Sequence, residues 1–300
     1  MRFLRTSALL TSVAAAAAFA ADDPWRVSAP PGPEHAVTLV ESEREYTLML
    51  AGKPWEGANG PERVELALSA EEKDALTRCR AQVDGGELDA AQEAVDGLLG
   101  RNPANWDAWL LRARVLHARE SDAEALSALR TSLVGNRRSP EAWQLLEELA
   151  RALGKKVVRP RLALRGWVRE LGQGEVECGH VADDSDAMPW SYYAAARAVY
   201  RYEGPYARDF PGAAPYRFTF REQMYAMGVL AASARDARRS GTRLSGGLKR
   251  VLSEDSAGSL VPFTYFAVYP EAVPALPEPG FDALLPRLER YFDQKVLVRR

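Results

Sequence analysis

Acids, a thiol and an imidazole gather in one stretch of this 300-residue chain: Glu175, Glu177, Cys178, His180, Asp183, Asp184 and Asp186. These are metal-ligand types. Zinc takes four donors in a tetrahedral array, and calcium takes six or more oxygens. The spacing fits neither. Cys178-x-His180 is not a standard zinc pair, and the acids lack the spaced D-x-D-x-D-G of a calcium loop. No metal and no other cofactor is expected. Asp184 or Asp186 is expected instead to cap a helix starting near Pro189, where a carboxylate suits the helix dipole. Catalytic signals are as sparse. There is no Gly-x-Ser-x-Gly elbow and no dinucleotide fingerprint, and Ser245-Gly246-Gly247-Leu248-Lys249 has the wrong spacing for a phosphate loop. Only His35, His117 and His180 ordinarily titrate near neutrality. Paired carboxylates remain an open route to acid–base work, but no residue is assigned as catalytic.

The bulk properties narrow the setting. Apolar residues make up 47% and charged residues 27%, an ordinary globular balance. A formal net charge of −2 gives no reason to expect nucleic acid as a partner. At the start, Arg2 and Arg5 precede an alanine-rich apolar run from Ala8 to Phe19, and Ala18-Phe19-Ala20 fits a small-x-small cleavage pattern. Residues 1–20 read as a secretory signal cleaved after Ala20, which places the mature chain in the periplasm or outside the cell. No later stretch is long and apolar enough to span a membrane, which needs about 20 residues. Two cysteines, Cys79 and Cys178, would then meet an oxidising compartment. Whether they pair stays open, since each also suits a small buried site.

Residues 21–64, with Pro30, Pro31 and Pro33, read as a linker with possible short strands at Ala36–Val40 and Tyr46–Leu50 and a turn at Gly52-Lys53-Pro54. From Ser69 the pattern becomes helical. Ser69 and Glu72 form a Ser-x-x-Glu capping box. Gly85-Gly86 ends that helix, and Leu88 to Leu99 makes the next. Ser121 with Glu124 is expected to cap a later helix, and Ser139-Pro140 opens another. Trp109 and Trp143 lie 34 residues apart, and so do Ala91 and Ala125. A repeat of this length is a helical hairpin that buries its apolar face only by stacking on copies of itself.

The units resemble tetratricopeptide repeats, whose pattern runs W-x2-L-G-x2-Y, then A-x3-F, then P. Trp109, Ala113 and Leu116 stand at the Trp, Gly and Tyr sites, and Ala125 and Leu129 at the Ala and Phe sites. The preceding unit matches with Cys79, Ala91, Val95, Leu98 and Pro103 but has Ala75 at the Trp site and Gln82 at the Tyr site. Trp143 begins a third unit that keeps only its first helix before Lys155-Lys156. The expected repeat core is therefore Ala75, Ala91, Val95, Trp109, Ala113, Leu116, Ala125, Leu129 and Trp143, within residues 65–155. The resemblance implies that partners lie along the first helix of each unit. Lys73, Arg80, Arg114, His117 and Arg151 would then line a groove. Guanidinium groups suit carboxylates, so a protein or peptide partner is expected, and an acidic one fits. The alternative is a solvated face in which the arginines pair with Glu141 and Glu148. The family's carboxylate clamp needs an Asn that this chain lacks.

Residues 156–300 resemble no family and are expected as one C-terminal domain. Val157–Leu164 and Gly174–Val181 are expected to pair across the glycines at 172–174. Helices are expected at 189–202, behind Thr219 and Glu222, and from Phe281 to Phe292. The fold class is thus mainly α: a short helical-repeat array followed by a mixed α+β, helix-rich domain. The expected function is a scaffold or adaptor mediating protein–protein interaction in the cell envelope. The alternative is an enzyme or glycan-binding module in residues 156–300 with the repeats as adaptor, its crowded aromatics stacking on sugar rings; Trp190, Tyr193 and Arg197, however, share one helix face and read as core.

Overall fold

The computed structural model describes residues 37–42, 45–50, 53–54, 68–103, 105–137, 139–172, 175–181, 184–202, 205–212, 219–268 and 281–299. The expected signal segment, the prolines at 30–33, His35 and Asp183 lie outside them. The fold is mainly α with small antiparallel sheets. The described chain divides into two compact units, residues 68–160 with 281–299 and residues 37–54 with 161–268.

The first unit is a row of packed helices: α1 (Ala70–Asp84), α2 (Leu88–Arg101), α3 (Trp106–Ala118), α4 (Asp122–Gly135) and α5 (Pro140–Ala152). Each packs on the next, and α1, α3 and α5 also pack in sequence on one another. The backbone repeats at the same interval as the sequence. Gly86, Glu120 and Gly154, each 34 residues from the next, have φ of 76°, 61° and 64°. Asn105 and Ser139 cap α3 and α5 by accepting from Ala108 N and Ala142 N. The Trp109 and Trp143 indoles each donate to a carbonyl six residues upstream, Pro103 O at 2.9 Å and Arg137 O at 2.6 Å. Ser69 and Glu72 form the expected capping box, and Asn102 Nδ2 donates to Glu72 at 2.7 Å. The Asn102 bond, then the Ser69 backbone, holds the Glu72 carboxyl below its ordinary range.

Ala91, Val95, Ala113, Ala125, Leu129 and Trp143 are buried, as a repeat core requires. Ala75, Trp109 and Leu116 are half-buried, with Ala75 and Trp109 packed against that core. The tightest approach is at Gly135, where an added Cβ would lie 1.9 Å from the Trp106 ring. Ser121 stands at the start of α4 but makes no side-chain cap bond. Its preceding residue, Glu120, holds the left-handed conformation that glycine occupies in the neighbouring units. Left-handed backbone costs a side-chain-bearing residue about 1–2 kcal/mol. Glycine's extra unfolded freedom offsets part of that. Glu120→Gly is therefore expected to stabilise the array by about 0.5–1 kcal/mol. A urea midpoint lower than that of the parent chain would contradict this.

The array does not end where its sequence pattern ends. After α5 the chain forms β4 (Lys155–Val157), which pairs antiparallel with β7 (Leu297–Arg299) at the far terminus. The helix α11 (Phe281–Tyr291) packs on α4 and runs into a π-helical turn over Phe292–Val296. Arg130 of α4 meets Asp293 at 2.9 Å and Glu289 at 4.0 Å. Residues 281–299, expected with the C-terminal domain, thus complete the array instead. Their apolar face matches a surface that the shortened third unit would otherwise leave bare.

In the second unit, β1 (Val37–Ser42), β2 (Glu45–Leu50), β5 (Gly166–Gly172) and β6 (Glu175–His180) form a sheet in the order β1-β2-β6-β5, with β3 (Lys53–Pro54) on β2. The two short strands expected within residues 21–64 are present as β1 and β2, and they join this sheet, Tyr46 pairing with Cys178. The expected hairpin exists, but its first strand is Gly166–Gly172 rather than Val157–Leu164. Trp167 lies over its partner Gly179, where a Cβ would come within 2.2 Å of the ring. Gly166, which opens the missed strand, is kept clear for the Trp190 carbonyl, 2.6 Å from where a Cβ would stand, and in one dimension such a glycine reads as a breaker.

Helix α6 (Asp184–Tyr202) packs on β5, β6 and α8 (Phe220–Arg239). Between them in sequence lies α7 (Pro205–Asp209), and α9 (Gly246–Ser256) and α10 (Leu260–Ala267) also pack on α8. Pro189 lies inside α6, not at its start. Met224, Met227, Leu230, Ala231 and Ala234 of α8 are all buried, as their helical spacing predicts.

Candidate functional site

The groove expected from the sequence lies along α1, α3 and α5 of the array. Three of its residues, Arg80, Arg114 and Glu141, come one each from these three helices, which touch in sequence. Arg114, on α3, reaches Asp84 of α1 at 2.8 Å and Glu141 of α5 at 3.2 Å. Arg80 of α1 reaches the same Glu141 at 3.8 Å. Asp107, seven residues before Arg114 and so on the same face of α3, completes the cluster. Burial raises its carboxyl above the ordinary range, with Arg80 pulling the other way and Glu141 adding to the rise. Leu110, between Asp107 and Arg114, is buried beneath, and Val83 is half-buried.

The arginines meant to receive a partner's carboxylate therefore already hold carboxylates of the chain itself. That is the alternative weighed for this face, with Asp84 rather than Glu148 as the second acid. The pairs are only partly buried: side-chain exposure is 29% at Arg114 and 44% at Glu141. Pairs so exposed are worth about 0–1 kcal/mol each. They are exchangeable contacts more than structural ones. His117 is half-buried with Nδ1 2.7 Å from Asp122 Oδ1, which leaves Nε2 as the outward nitrogen. Lys73 and Arg151 are exposed. The structure brings Arg80 and Arg114 together around Glu141; His117 is held separately by Asp122. Sequence reasoning assigned no role to Asp84 or Asp107. The signal for Asp107 was the 34-residue frame, which makes 107 the equivalent of Lys73 in the next unit.

Among the described residues no group of three or more His, Cys, Asp or Glu side chains could hold a metal ion. Cys178 is buried with Sγ 3.8 Å from Ala194 O, and burial pushes its thiol up to about 12. Cys79 is likewise buried, with Sγ 3.6 Å from Ala91 O. Both are free thiols. Asp186 does not cap its own helix. It is 1% exposed and accepts from Ser245 N at 3.0 Å, at the start of α9.

Many of the described aromatic residues of the second unit are core. Trp190, Tyr193, Tyr200, Phe220, Phe263 and Tyr265 are fully buried. Trp190 and Tyr193 meet edge to face at 5.6 Å, as do Phe220 and Tyr265. These six rings offer no platform to a sugar. Two of their hydroxyls are used internally: Tyr193 OH bonds Gln223, and Tyr200 OH donates to Asp209 at 2.8 Å. Among the described residues no helix is long and apolar enough to cross a membrane. No protein-family model matches the chain, and neither does any curated protein or solved structure.

Proposed function

We propose that this chain is an exported tetratricopeptide-type scaffold that binds a protein segment along α1, α3 and α5. The observation carrying this reading is the charged, partly exposed face those helices share, built on a backbone that repeats every 34 residues. Stacked hairpins of this kind offer an extended surface whose contacts come from many repeats at once. The burial of the second unit's aromatics supports a structural part for that unit over glycan recognition. The signal-like first twenty residues support export to the periplasm or beyond.

The test is affinity capture from cell-envelope extract with residues 21–300. It is run beside a variant carrying Arg80→Glu and Gln144→Arg, both at exposed positions. The parent is expected to retain a discrete protein partner and the variant to lose it by about ten-fold or more, since interface energy concentrates in few residues. Equal capture by both, with folding unchanged by circular dichroism, would move the function off this face.

A further inference from the structure

We infer that the centre of this face receives a cationic side chain, a lysine or arginine of the partner, at Asp107. This rests on the interaction reading above and specifies the partner's chemistry. Two guanidiniums, Arg80 and Arg114, stand among three carboxylates, Asp84, Asp107 and Glu141. Arg114 has both of its terminal nitrogens engaged. An incoming carboxylate would have to displace Asp84 or Glu141, and would then face the displaced acid and Asp107 as well. A cation meets the opposite situation. Asp107 makes no hydrogen bond or ion pair among the described residues, and it is half-buried and so reachable.

The direction of the Asp107 shift agrees. Its carboxyl is held up by burial and by Glu141 from α5, against Arg80 from α1. Arg114 lies two turns along its own helix, and Asp84 on α1 holds that arginine. A bound ammonium would favour the ionised form and lower the pKa. At pH values where the free carboxyl is partly protonated, binding then releases a proton. Affinity is full above the raised pKa of free Asp107 and falls as pH drops through it.

The experiment is an NMR titration of the full mature chain at low salt. The probes are two end-blocked hexapeptides, one alternating lysine and glycine, the other glutamate and glycine. The lysine peptide is expected to bind and to shift amides around Asp107. Asp107→Asn, which keeps the side chain's shape, is expected to weaken it about ten-fold, the worth of one charge-assisted contact. Asp236→Asn, at an exposed site in the other unit, is expected to leave it unchanged. In the parent chain, affinity is expected to fall as pH is lowered. Tighter binding of the glutamate peptide overturns the proposal, as does an unchanged affinity in Asp107→Asn or an equal loss in Asp236→Asn. If partner capture still depends on the groove when that happens, only the lysine assignment fails. If capture is independent of the groove, the scaffold reading fails whatever the peptides do.

Discussion

A chain that ends at Gly280 is expected to lose the cooperative unfolding of its array. The deleted segment carries Leu284, Leu288, Tyr291, Phe292, Val296 and Leu297, all buried. Burying one such side chain is worth about 1.5–3 kcal/mol. Six of them together rival the whole stability of a typical domain, about 5–15 kcal/mol. The deletion also strips β7 from β4, removes the bond from Val158 N to Val296 O at 2.7 Å, and leaves Arg130 without Asp293 and Glu289. The face of α4 beneath α11 would be left in water, and apolar patches of that kind aggregate. Thermal circular dichroism and gel filtration read the outcome. Leu288→Ala supplies a graded version, expected to cost about 2–5 kcal/mol while keeping the fold. A truncated chain that stays monomeric and melts with the parent would show that the segment is an appendage. It follows that residues 65–155 are not expected to be an autonomous fragment, since their last surface is completed from the other end of the chain.

The second large effect is expected at Arg197. Its Nε donates to Glu222, whose side chain is 2% exposed, and the pair ties α6 to α8. Removing one partner of a buried pair leaves an uncompensated charge and costs about 3–5 kcal/mol. Arg197→Met is therefore expected to lower the melting temperature of the second unit by on the order of 10 °C. Removing both charges is different, because apolar replacements of similar volume are often neutral. Arg197→Met with Glu222→Leu is expected to recover most of the loss. A double variant no better than the single one would mean that Arg197 acts through its other contacts, Tyr193 among them. Thr219 still caps α8 in either case, since its hydroxyl accepts from Glu222 N. Glu222 does not return the bond to Thr219 N as in a capping box; its Oε1 accepts from Arg197 Nε, and a local motif yields to a tertiary one.

What could be read without coordinates was what the chain encodes over a few turns. Ser69 with Glu72, Ser139 with Pro140, the α8 stripe from Met224 to Ala234 and the core positions of the 34-residue period are all set by residues within about one helical turn of each other. Helix geometry alone puts such residues together. Whether the arginines of the groove were free was not legible. Arg114 meets acids 30 residues before it and 27 after it, and sequence separation of that kind carries no geometry until the helices are stacked. Asp186 is a similar case. It looks like a helix cap in sequence and becomes one, but for a helix that starts 60 residues later. The same limit explains β2 beside β6, and α11 on α4. Composition and periodicity determined that this is a mainly α chain with a repeating array and a buried aromatic core. Only the tertiary structure decided which element covers which face. An apolar stripe specifies that it must be buried, not against what, and that choice is made by whichever surface of the rest of the chain is left uncovered.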